Sequence, residues 1–192
     1  MFEIIAVALA FWPSDRAQCV ATPGSVRAAP PSISLVTAPG GVHVRVDRAL
    51  HLEPCRGFRA IRYSNGVIAF ANGESYEIAG NTLKPVTPAP PAFAADGTDR
   101  SMPSATLDYE RLPQGLVEHR IERRKAGRFN VLAYVRVIGI RKLSEITIAR
   151  TPHEVVGLSA MPTSPDSGRS SIVFVLEQAS DGARVTNLRL TR

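Results

Sequence analysis

Two Asn-Gly dipeptides seven residues apart, Asn65-Gly66 and Asn72-Gly73, constrain this chain more than any other feature. Asn and Gly both tolerate positive φ, which the central residues of a type I′ turn require. Short runs rich in β-forming residues flank each dipeptide, and Gly80-Asn81 supplies a third turn signal before Thr82-Leu83-Lys84-Pro85-Val86. The segment reads as a tight antiparallel meander.

Period-two patterning extends the β reading to both sides. Val42, Val44 and Val46 alternate with His43, Arg45 and Asp47, the pattern of a strand with one buried face. Phe129 to Ile140 is apolar on both faces, with Phe129, Val131, Ala133, Val135 and Val137 on one and Leu132, Tyr134, Ile138 and Ile140 on the other. Such a strand is central, or has a partner over its second face. Residues 145–149, 153–158, 171–176 and 184–190 are further strands, and Asp181-Gly182 turns the last pair into a hairpin. Leu116 to Lys125 fits a short helix (Val117 and Ile121 are four apart) or a charged strand (Val117, His119 and Ile121 alternate). The expected fold is mainly β, an antiparallel meander plus a C-terminal β-sandwich or small-barrel-like unit, with few helices.

Proline marks the divisions. Residues 1–41 comprise an apolar N-terminal segment and a Pro/Ala-rich connector. Residues 42–86 form the meander unit, 87–103 a Pro/Ala linker, and 104–192 the C-terminal β-rich domain. The nine-residue run Ile4–Trp12 falls well short of the roughly 20 residues that span a bilayer, so no membrane span is expected. Its length suits a signal peptide ending near Ala21, but Glu3 and the lack of Lys or Arg before the run suit a buried element of the fold. Cys19 and Cys55 are the two cysteines, the candidate pair for a disulfide in an exported protein and free, half-buried thiols in a cytosolic one.

Chemistry is signalled mainly by what is missing. His51-Leu52-Glu53-Pro54-Cys55 holds both halves of a zinc-deaminase signature, but the halves abut and no second cysteine stands two residues after Cys55. The four histidines form no H-E-x-x-H, and no G-x-S-x-G, P-loop or G-x-G-x-x-G occurs. The carboxylate pairs Asp108/Glu110 and Glu118/Glu122 are expected to be solvated faces. No catalytic residue, cofactor or metal site is therefore expected.

Charge is uneven: 9 Lys+Arg against 8 Asp+Glu in residues 1–100, and 14 against 9 in residues 101–192. Arg120, Arg123, Arg124, Lys125 and Arg128 concentrate five cations in nine residues and are the candidate contact for an anion or nucleic acid. No aromatic residue is interleaved with them, which disfavours base stacking. The expected role is a non-catalytic structural or binding module, exported to the cell envelope or built into an assembly such as a virion. A protein partner or homo-oligomer is expected. Nucleic-acid binding through residues 120–128 is the alternative, and an enzyme of unrecognised type the next.

Overall fold

The computed structural model describes residues 26–37, 41–52, 60–64, 67–70, 75–79, 82–86, 104–163, 169–180 and 182–192. Among them are fourteen strands and no helix. In chain order they are β1 (Val26–Ala28), β2 (Ser34–Leu35), β3 (His43–Leu52), β4 (Ala60–Ser64), β5 (Val67–Phe70), β6 (Ser75–Ala79), β7 (Thr82–Pro85), β8 (Ser104–Leu112), β9 (Gly115–Ala126), β10 (Phe129–Ile138), β11 (Arg141–Thr151), β12 (Glu154–Pro162), β13 (Ser170–Ala179) and β14 (Gly182–Thr191). No helix among the described residues is long and apolar enough to cross a membrane. The stretch 116–125, compatible in sequence with a helix or a strand, is β9.

The strands form three antiparallel sheets. Sheet A has the order β1-β3-β14-β13-β12, sheet B β2-β11-β10-β9-β8, and sheet C β4-β5-β6-β7. Sheet C is the meander. Ser64 faces Val67 and Ala79 faces Thr82, so two residues link each of those strand pairs. β5 and β6 instead pair with Ala69 opposite Ser75, leaving an odd number of residues between facing positions, where a two-residue turn needs an even one. Both Asn-Gly dipeptides, the linker 87–103, and Cys19 and Cys55 lie outside the described residues.

Sheets A and B face each other as a β-sandwich. Val173, Val175, Leu188 and Leu190 of sheet A meet Leu107, Ile121, Leu132 and Ile148 of sheet B in one buried cluster. Sheet A is apolar on its other face too. There Leu50, Leu52, Phe174, Leu176 and Val185 bury against Ile68 and Tyr76 of the meander. Sheet A is thus the middle layer, and β13 supplies alternate residues to both cores.

Strand β3 reaches both cores by a different device. A register shift opposite Asn187 and Leu188 places an extra residue at Asp47. A bulge of one residue reverses the alternation beyond it. Val44 and Val46 therefore pack with the sandwich core, whereas Leu50 and Leu52 join the core under the meander. Because β3 pairs with β14 along its length, residues 43–52 belong to the sandwich, and the meander comprises residues 60–86. The division expected at residue 87 groups β3 with the meander. A β3 laddered to the C-terminal strands satisfies its backbone groups there instead.

Strand β10 is central in sheet B, between β9 and β11, and buried on both faces. Its outer face needs no second sheet. Val135 is flanked by Arg120 and Glu145, Ala133 by Glu122 and Thr147, and Val137 by Glu118 and Lys142. Long charged side chains bury apolar surface under their stems while keeping their ends in water, and Val135 is 0% exposed. Ile140 does not share the strand's inner face. It follows Gly139 (φ 56°) in the β10–β11 turn and is fully exposed.

These contrasts set expected stabilities. Leu132→Ala removes a side chain buried between the two sheets and should destabilise by about 2–5 kcal/mol. Ile140→Ser should stay within about 0.5 kcal/mol of the parent. Urea denaturation of the two variants measures both values.

Candidate functional site

The apolar core of the sandwich ends in a polar network at each pole. At the first pole, Asp108 and Glu110 of β8, His119 of β9, Tyr134 and Arg136 of β10, and the C-terminal Arg192 converge. A bulge in β8 at Leu107 brings Asp108 opposite the buried His119, so that Leu107 and Asp108 both face inward. Arg192 follows Leu188 and Leu190 along the inward face of β14. Its guanidinium meets Asp108 with two hydrogen bonds of 2.6 Å, a bidentate pair that ties sheet A to sheet B.

The partners of His119 set its tautomer. Arg192 donates to the Tyr134 hydroxyl. Tyr134 Oη–H in turn donates to His119 Nδ1, which leaves Nε2–H to donate to Glu110 Oε2 at 3.2 Å. Arg136 Nη2 also reaches Glu110 Oε2, at 3.4 Å. Donors and acceptors run in one direction from Arg192 to Glu110, and the imidazole is neutral.

Burial and charge maintain that state. Burial holds the His119 pKa below its ordinary 6.5, assisted by Arg192 and Arg136 and opposed by Asp108 and Glu110. Burial raises the Tyr134 pKa, so the phenol stays protonated. Burial disfavours the charge of Arg192, but its bonds to Asp108 and Tyr134 more than offset this and raise its pKa.

At the opposite pole, Glu177 is fully buried. It accepts hydrogen bonds from Ser32 Oγ at 2.6 Å and from Thr151 Oγ1. Arg184 stands opposite Glu177 on β14, and His51 opposite Arg184 on β3. Thr151 Oγ1 also accepts from the His153 amide at 3.1 Å, and Asn130 Nδ2 donates to the His153 carbonyl at 2.8 Å. Glu177 thereby anchors residues 26–37, which cross from sheet A at β1 to sheet B at β2, and fixes the β11–β12 turn.

The five cations expected to form one contact are divided by the alternation of β9. Arg120 and Arg124 lie on the outer face of sheet B, each bonded to Glu122. Glu118 and Glu145 complete that ladder through Arg120 and Arg124. Lys142, hydrogen-bonded to Glu145, holds its carboxyl below the usual carboxylate range. Arg123 is on the inner side, where Nη1 donates to the Val155 carbonyl at 3.1 Å and so braces β9 against β12. Lys125 and Arg128 remain exposed, with the Arg128 guanidinium 5.0 Å from the centre of the Phe129 ring.

Sequence reasoning passed over Asp108, Glu110, His119, Tyr134 and Arg192 as a group. Their spacing follows no motif, and the β8 bulge that brings Asp108 opposite His119 leaves no mark in the alternation. The chain matches no protein-family model, and comparison with curated proteins and with solved structures finds no similar one. Among the described residues no group of three or more His, Cys, Asp or Glu side chains converges as a metal site. His51 is a buried core histidine at the end of β3.

Both poles yield tests. The folded state binds the His119 proton more weakly than the unfolded chain does. Its contribution to stability is therefore complete above pH 6.5 and is lost as the pH falls below that value toward the folded pKa. Unfolding free energies between pH 8 and pH 5 should fall more steeply for the parent than for His119→Gln. At the other pole, Thr151→Val removes a donor from buried Glu177 and should cost about 1–3 kcal/mol, read by urea titration at neutral pH.

Proposed function

We propose that this chain is a non-catalytic structural or binding module, a component of the cell envelope or of a larger assembly such as a virion, that joins a second copy or another protein chain through open strand edges. One observation carries the reading. Among the described residues, β3 is paired on its β1 side only at Leu50, His51 and Leu52, and β11 on its β2 side only at Ala149 and Arg150. Two further backbone bonds, Ala29 to Ala49 and Val36 to Ile148, extend those ladders by a residue each. Among the described residues, the outer edges of β3 at residues 43–47 and of β11 at residues 141–147 therefore have no strand added to them, and both lie on the same side of the sandwich.

An edge of that length presents a row of backbone donors and acceptors to which another strand can add. Main-chain bonds supply the attraction, and alternate side chains such as Leu143 set the register. The network around His119 supports the same reading, because Asp108, Glu110, His119, Tyr134 and Arg192 hydrogen-bond to one another and join the two sheets.

Lys125 and Arg128 carry the alternative, contact with nucleic acid or another anion. Arg124 and Arg150 flank Val131 on the same face, so four cations gather near the β9–β10 turn. The two readings differ in salt dependence. Strand addition is not screened, whereas contacts to phosphate weaken steeply as salt rises.

Sedimentation velocity at low and high salt, with nuclease treatment, is the test. The expected result is an association that survives both. Association lost at high salt or on nuclease treatment would favour the nucleic-acid reading, and a monomer under every condition would overturn the assembly reading.

A further inference from the structure

We propose that the pole of the sandwich bearing the β8–β9 and β10–β11 hairpin tips seats on the surface of an anionic lipid bilayer. The exposed apolar side chains of the described residues are concentrated there. Of six large ones, Tyr109, Leu116, Ile140 and Leu143 lie on these two hairpins, with exposures of 60%, 54%, 106% and 37%. The hairpins are neighbours, since β9 pairs with β10. A Cβ built on Gly115, at the first tip, would lie 3.4 Å from the Ile138 side chain, next to the second. A cluster of exposed apolar groups marks a contact surface.

Charge identifies the occupant. Arg111 is paired with Leu116 across the first hairpin, and Arg141 follows Ile140 directly. Both are exposed, and neither has an ion-pair partner among the described residues. The carboxylates of this pole are already engaged: Asp108 by Arg192, Glu110 by His119 and Arg136, Glu118 by Arg120, and Glu145 by Lys142. The tips therefore carry exposed apolar side chains beside two guanidinium groups that pair with no carboxylate among the described residues.

Exposure suits a bilayer surface: the two turns adjoin, and Ile140 is fully exposed. Apolar side chains at these tips enter the headgroup region, Tyr109 sits at the level favoured by amphipathic rings, and Arg111 and Arg141 meet lipid phosphates. Tyr109, Arg111, Leu116 and Ile140 lie off the edges of β3 and β11 proposed for strand addition, whereas Arg141 and Leu143 belong to both surfaces.

The test is co-flotation of the full chain with vesicles of phosphatidylcholine alone and of phosphatidylcholine mixed with phosphatidylserine. Binding is expected to the mixed vesicles. It should weaken about tenfold for Ile140→Ser and again for Leu116→Ser, from the apolar area withdrawn from the membrane. Arg111→Gln with Arg141→Gln should remove the preference for phosphatidylserine. Leu35→Ser, an exposed apolar site away from the tips, should bind like the parent. Circular dichroism melts confirm that each variant is folded. Failure of the parent to float with mixed vesicles, or flotation unchanged by the tip substitutions, overturns the proposal. So does equal loss in the Leu35→Ser variant, or binding only to an added protein. Sedimentation of the Ile140→Ser and Leu116→Ser variants without lipid reads strand-edge association independently, because neither residue lies on β3 or β11, so either reading can fail without the other.

Discussion

Sheet A is apolar on both faces and has to be covered twice. Burial of apolar surface is the largest favourable term available to a chain of this kind, and a strand offers its two faces in strict alternation. β13 shows the consequence most directly: Val173 and Val175 require sheet B, while Phe174 and Leu176 require the meander. Neither outer layer is an accessory. Each buries surface that sheet A would otherwise expose to water.

Sheet B solves the same problem with charge. Its outer face carries the apolar row Ala133, Val135 and Val137, buried although no further sheet packs on it among the described residues. On β9, Glu118, Arg120, Glu122 and Arg124 alternate in sign along one face and bond to one another. Each such pair at a surface contributes little to stability. Their effect is to lay long stems over the valines and to keep that face from inviting another sheet. The concentration of cations at 120–128 is therefore first a feature of strand chemistry, and among the described residues Lys125 and Arg128 are the two of the five that face solvent without a carboxylate partner.

The two poles complete the sandwich where the apolar alternation ends. A polar group withdrawn from water must find partners or lose free energy. At one pole Arg192, the last residue, closes on Asp108 and Tyr134. At the other, Glu177 gathers hydroxyls from Ser32 and Thr151, residues far apart in sequence. Both networks join elements that no backbone ladder connects, and they hold the sheets in one relative position. Outside both networks, among the described residues, lie the outer edges of β3 and β11 and the exposed hairpin tips.

The sequence by itself determined what local physics controls. Alternation identified β3 and the central β10, and the spacing of Gly and Asn marked a meander. The antiparallel β class followed from these, because side-chain period and turn chemistry act within a few residues. The tertiary structure decided what depends on distant partners. β3 ladders with β14 rather than with its sequence neighbours, and the extra residue at Asp47 sends Leu50 and Leu52 to a different core from Val44 and Val46. Leu116 to Lys125 became a strand because β8 and β10 flank it. His119, Tyr134, Arg192, Asp108 and Glu110 meet only once four strands, β8, β9, β10 and β14, and the bulge in β8 are in register. A bulge leaves no periodic trace, and pairing between distant segments is selected by total burial and backbone hydrogen bonding, which no short window of sequence contains.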